Sequence, residues 1–285
     1  MKTLTIRATS LLLTVVAAVA LAKQSFSSRP KNVVVPMFAV LGSERGEAAS
    51  IDPMLLIDGQ TIRPVPNPCT ESPALHDFEN RYLKPGTVYP VMFGGERRGT
   101  VSVKKLEGTN WGVRLNTDVR IQGLTMALAV GDRPNSRGGS RRNPTVTERK
   151  RIEQVAREIL IGKGVPTASL ARMRLNQTTA IELNHLPKLI VSAEVERTDK
   201  LGMEYSLFFV ADPVSNEKSV IWFQHPQSET DAEAVYLIDH LDVDGNGADR
   251  MFVRRVFYEN YRYEVYQNRG GRWLREFTSE VFGCL

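Results

Sequence analysis

Side chains that carry nucleophilic, redox or zinc chemistry are scarce in this chain of 285 residues. There are two cysteines and four histidines (His76, His185, His225 and His240), and no pair of histidines has the H-x-H or H-E-x-x-H spacing that places two imidazoles on one zinc ion. The G-x-S-x-G turn of the hydrolase serine, the G-x-G-x-x-G dinucleotide fingerprint and the phosphate-cradling P-loop are all missing. The apolar runs fall short of the ~20 residues that a membrane-spanning helix needs. Charge of one sign is also lacking: the formal balance of +5 is too slight to argue for a nucleic-acid partner. These absences remove the common local signatures of catalysis. They leave open chemistry assembled only by the fold: a hydrolase whose acid and base lie far apart in sequence, or a thiol nucleophile at Cys69.

What is present begins with an export pattern. Lys2 and Arg7 form a basic start, Leu11 to Val19 an apolar stretch, and Ala20-Leu21-Ala22 a small-residue cleavage site. Residues 1–22 therefore read as a signal peptide and 23–32 as a tether, so the protein is expected in the periplasm or outside the cell, with no transmembrane segment in the mature chain. In such an oxidising compartment a lone pair of cysteines is a disulfide candidate. Joining Cys69 to Cys284 would close a very long loop, worth about 4–5 kcal/mol on a chain-entropy account.

Composition, with 42% hydrophobic and 24% charged residues, is that of a globular protein. Residues 33–130 alternate short β-prone runs with turn punctuation. Asp58-Gly59 joins two runs as a hairpin and Gly94-Gly95 joins another, with a helical turn expected near His76 to Tyr82. This predicts a small antiparallel barrel or sandwich. Residues 131–145 read as a basic Gly/Pro/Arg linker, with Arg133, Arg137, Arg141 and Arg142 in solvent. Thr145 or Thr147 then caps a helix whose apolar stripe is Ile152, Val155, Ala156, Ile159 and Leu160. Strand signals resume from Lys188 and run to Phe277. The fold class is mainly β: an N-terminal β unit, then an α+β unit over 146–285 made of an antiparallel meander with one packed helix.

Within that last unit, Asp242-Val243-Asp244-Gly245-Asn246-Gly247-Ala248-Asp249 is the one place where ionisable residues fall at a chemically meaningful spacing. Calcium takes six to eight oxygens, and a tight loop supplies them from alternate positions. Asp242, Asp244 and Asn246 are in phase, with the Ala248 carbonyl next. Apolar runs flank the segment, so it joins two strands. An EF-hand is excluded, because Val253 stands where the twelfth-position acid belongs. The pattern resembles the Asp-rich loops of FG-GAP and VCBS-type repeats, D-x-[DN]-G-[DN]-G between strands, over about the last fifty residues. The resemblance implies a calcium site of weak, extracellular-module affinity, about 10⁻⁴ to 10⁻³ M. That family closes the loop with an acid at the ninth position, where this chain has Arg250. Asp249 is the candidate substitute, with Asp239 and Glu259 on the flanks. The competing reading is a Gly/Asp/Asn-rich turn held by side-chain-to-backbone bonds without metal.

Two further features complete the expectation. Leu189-Ile190-Val191 aligns with Met251-Phe252-Val253, suggesting two related hairpin units, of which only the second carries the Asp loop. Strand alternation over Phe257 to Tyr266 sets Tyr261 and Tyr263 on one face; with Trp273 they form a candidate recognition surface for a carbohydrate or an envelope protein, unless they are ordinary cross-strand packing. The function expected is a non-catalytic, exported β protein with a calcium-stabilised loop and a binding or structural role. The alternative is a secreted hydrolase, with His240 between Asp239 and Asp242 as its candidate acid or base.

Overall fold

The computed structural model describes residues 34–42, 48–107, 112–117, 126–131, 140–197 and 202–283. The segments read as signal peptide and tether, the middle of the basic segment and Cys284 fall outside them, and with Cys284 so does the expected Cys69–Cys284 pairing. Val34 to Leu285 forms one compact unit.

Three antiparallel sheets account for nearly all of it. The first contains β1 (Val34–Gly42), β2 (Ala48–Asp58), β3 (Thr61–Arg63), β4 (Val88–Phe93), β5 (Glu96–Glu107), β6 (Gly112–Thr117) and β7 (Met126–Val130), in the order β1-β7-β4-β5-β6-β2-β3. β1 also pairs with β2, so the sheet curls back on itself. The second has β8 (Arg141–Arg142), β9 (Met173–Leu183), β10 (Leu186–Glu196), β11 (Met203–Ala211) and β12 (Lys218–Gln224), the third β13 (Glu233–Leu241), β14 (Arg250–Phe257), β15 (Asn260–Arg269) and β16 (Arg272–Thr278). Both run as sequential meanders. The turns read from sequence are in place: Gly59, Gly94 and Gly95 all adopt positive φ, which only glycine reaches without strain.

Helix α1 (Pro73–Tyr82) is capped by Ser72 and helix α2 (Val146–Gly162) by Thr145. The second cap is a full capping box, in which Thr145 Oγ1 accepts from Glu148 N and Glu148 Oε2 accepts from Thr145 N. Arg142 forks onto the same carboxylate at 2.7 and 2.8 Å. That fork, foremost, and the Thr145 bonds hold Glu148 at a pKa of about 2. Its folded value lies below the unfolded one, so its stabilising contribution is full at neutral pH and fades as pH falls from about 4.5 towards 2. Thr145→Ala should cost about 1 kcal/mol, read from denaturant unfolding at neutral pH.

The five apolar residues of α2 predicted to face inward are all buried, against Leu189, Val191, Ala193, Leu207 and Phe209 on one face of the second sheet. The opposite face of that sheet, through Ile190, Phe208 and Val210, meets Val235, Leu237, Met251 and Val253 of the third. The third sheet turns its other face, with Ile238, Phe252, Tyr263 and Val265, to Phe38, Leu55 and Val91 of the first. The layers therefore run α2, second sheet, third sheet, first sheet. β14 lies between two apolar layers, which is why Met251-Phe252-Val253 is unbroken and wholly buried.

Arg141, expected in a solvated linker, is instead 8% exposed. It begins β8, which pairs with Ile181 and Ala180 of β9. Its Nη1 donates to the Met126 carbonyl (2.9 Å) and to the Ile238 carbonyl, and lies 3.5 Å from Asp239 Oδ1. The guanidinium also covers the Phe93 ring at 4.5 Å. Gly94 sits so close to the Arg141 backbone that a Cβ there would come within 2.6 Å of the Arg141 nitrogen. One arginine thus fastens all three sheets together.

Candidate functional site

The acidic segment is the turn between β13 and β14, as its flanking strands predict. Gly245 and Gly247 take φ of 67° and 88°, the left-handed bends that the two glycines permit. Asp242 accepts from Asn246 N (3.2 Å) and Gly247 N (2.8 Å), and Asn246 Oδ1 accepts from Ala248 N (2.8 Å). These are nested turns of the kind Asx side chains build.

The remaining two acids look away from the turn's centre. Asp244 Oδ2 is 2.7 Å from Arg250 Nη1, and Arg250 Nε donates to Glu276 Oε2 at 2.6 Å. Arg250 is 6% exposed, and these two carboxylates hold it charged despite its burial. Asp249 exchanges two bonds with Asn184 in the tight β9–β10 turn: Asp249 N to Asn184 Oδ1 at 2.6 Å, Asn184 N to Asp249 Oδ2 at 2.7 Å. Burial works against the Asp249 carboxylate, but the His240 ring 3.6 Å away and the Asn184 N–H outweigh it and leave its pKa low. The β9–β10 turn and the 242–249 turn thus bond directly in space.

In this arrangement the predicted ligands are engaged by other groups. Asp242 and Asn246 are committed to backbone N–H groups, Asp244 to Arg250 and Asp249 to Asn184. Among the described residues, no group of three or more His, Cys, Asp or Glu side chains converges as a metal requires. Arg250 stands where the FG-GAP and VCBS-type loops carry their closing acid, and its guanidinium supplies positive charge at that end of the turn.

The turn also forms one wall of a cleft of about 670 Å³. Gln60, Thr61 and Ile62 from the β2–β3 hairpin contribute to the lining, and the ends of β15 and β16 bring Gln267, Arg269, Arg275 and Glu276. Arg269 donates from Nε to Gln267 Oε1 (2.8 Å) and from Nη2 to Glu276. Arg275 donates to Glu264 Oε1 at 3.1 Å. Glu264 is buried, and its pKa is low: the desolvation that would raise it is outweighed by Tyr266 and by Arg255, Arg262 and Arg275, all within 3.2 Å. The sequence pattern marked only the turn that forms one wall of this cleft; the β2–β3 hairpin across from it lies nearly 200 residues earlier in the chain.

The aromatic surface is corrected. Tyr263 is fully buried, Tyr261 and Trp273 are half-buried, and both tyrosine hydroxyls donate to Asp52 Oδ2 from across the interface with the first sheet. Trp273 packs on the core between the second and third sheets. The predicted alternation holds, and the face it defines packs against the first sheet, where Tyr263 is sealed and Tyr261 keeps part of its surface. His240 is 1% exposed, inaccessible as an acid or base for an external substrate. Against family models, curated proteins and solved structures, the chain has no match, so its likeness to the FG-GAP and VCBS-type loops rests on the residues of the turn alone.

Proposed function

We propose that this is a non-catalytic binding protein, exported to the periplasm or beyond, that holds its ligand in the cleft beside the 242–249 turn. The observation that carries the reading is the cleft itself. It is of ligand size, walled by two separate sheets and lined by polar groups on a β scaffold, while the one sequence-nominated acid–base residue, His240, is sealed in the core. Export rests on the pattern of residues 1–22.

The test is binding of the purified protein to a panel of immobilised envelope polysaccharides and soluble saccharides, run beside a panel of generic hydrolase substrates. Retention without turnover supports the reading; robust turnover overturns it in favour of the hydrolase. The turn's part is structural support for one wall. Because Arg250 supplies its positive charge, unfolding midpoints in chelator and in millimolar calcium should coincide. A rise of several degrees with calcium, abolished in Asp242→Ala/Asp244→Ala, would instead make the turn a metal site, stabilised by about 2.7 kcal/mol at a hundredfold excess over Kd.

A further inference from the structure

The geometry points to an anionic, hydroxyl-bearing ligand for this cleft, a sugar acid or a sugar phosphate, bound by Arg269 and Arg275. The inference rests on the binding reading above and adds the ligand's chemistry. Three guanidinium groups line the cleft, Arg250, Arg269 and Arg275, against two carboxylates, Asp244 and Glu276. Both of those carboxylates are engaged by Arg250, and Glu264 behind the wall is already met by Arg255 and Arg262. The lining therefore holds positive charge in excess.

Arg269 and Arg275 carry that excess towards solvent, with side chains 61% and 48% exposed. A guanidinium has five N–H donors in a planar fork suited to a carboxylate or phosphate. The bonds described above spend two on Arg269 and one on Arg275. Across the cleft, Gln60, Thr61 and Asn246 offer neutral amides and a hydroxyl, which donate and accept as sugar hydroxyls require. No aromatic ring is in the lining, so a bare ring ligand held by stacking is disfavoured. A volume of about 670 Å³ accommodates a mono- or disaccharide unit.

Calorimetric titration of the full-length protein with glucuronate, glucose 6-phosphate and glucose tests this directly. At least one anion should bind tenfold or more tightly than glucose, with affinity falling as salt rises; which one binds tells carboxylate from phosphate. Arg269→Gln/Arg275→Gln should weaken that binding at least tenfold with little change in unfolding midpoint, since both side chains are largely exposed. Arg98→Gln/Arg174→Gln, the same charge change at exposed arginines elsewhere, should leave affinity unchanged. Glucose binding as well as the anions, anion binding indifferent to Arg269 and Arg275, or equal losses in both double variants would each overturn the ligand class. Binding of neutral saccharides that the cleft variants abolish would do so while leaving the binding reading intact; hydrolysis of a substrate would remove that reading itself.

Discussion

Replacing Arg141 with methionine should lower the unfolding free energy by about 3–5 kcal/mol, the cost of stranding one partner of a buried ion pair. Asp239 is completely buried, and with the guanidinium gone its carboxylate would keep only His240 and the Gly94 N–H, which donates to Oδ2 at 2.8 Å, to oppose its desolvation. The Met126 and Ile238 carbonyls would lose their donor at the same time. Burial already pushes the Asp239 carboxyl up, with Arg141 foremost in opposing it, so the variant should drive it higher still. A carboxyl whose folded pKa exceeds its unfolded one binds protons more tightly when folded, so stability is gained as pH falls through the folded value. The deficit of Arg141→Met should accordingly shrink on acidification, measured by chemical denaturation across pH 5 to 8. Arg141→Met/Asp239→Leu should recover most of the loss, because removing both charges leaves neither uncompensated. A single variant within about 0.5 kcal/mol of the parent would show that Arg141 does not join the three sheets.

The second large effect is at Arg250, where the turn's counter-charge resides. Arg250→Ala removes a charged partner from both Asp244 and Glu276, whose side chains are 7% and 13% exposed, and leaves Glu276 the Arg269 guanidinium; it should cost about 3 kcal/mol. Arg250→Glu goes further. It crowds a third carboxylate onto the same site and restores the closing acid of the loop family that the turn resembles. In chelator it should be at least as unstable as the alanine variant, and calcium at a hundredfold over Kd, about 10–100 mM at the affinity the loop family implies, should return about 2–3 kcal/mol. The parent should remain indifferent to calcium throughout. A parent that needs calcium, or a glutamate variant that ignores it, would dismiss the arginine as the turn's built-in cation.

Much of the secondary structure was legible because its signals are local. The Thr145–Glu148 capping box acts over three residues, the α2 stripe recurs every three or four, and glycine turns need only their own backbone. β9 was not legible. Its Met173–Leu183 run contains Asn176, Gln177, Thr178 and Thr179, a polar stretch to which the sequence reading assigns no strand. Gln177 explains its place: Oε1 accepts from Leu237 N at 2.7 Å and Nε2 donates to the Leu237 carbonyl at 2.9 Å. β13 is an edge strand with a bulge between Leu237 and Asp239, and the Gln177 amide pairs with the backbone beside it. A polar residue in β9 is thus satisfied by a strand sixty residues away. Likewise the aromatic alternation at Tyr261 and Tyr263 was readable, but not the side on which it lay, because the first sheet supplies Asp52 and covers that face.

By itself, then, the sequence determined that the chain is mainly β, where its turns and its long helix fall, and which helix residues enter the core, since each follows from spacing within a few positions. The tertiary structure alone decided the fate of the charges. It buried Arg141 against an aspartate about a hundred residues on, gave both Asp244 and Glu276 to Arg250, and brought the β2–β3 hairpin over the arginines of β15 and β16 to form the cleft. A buried charge must find an opposite partner or hydrogen bonds, and only the packing of distant segments determines which partner it meets.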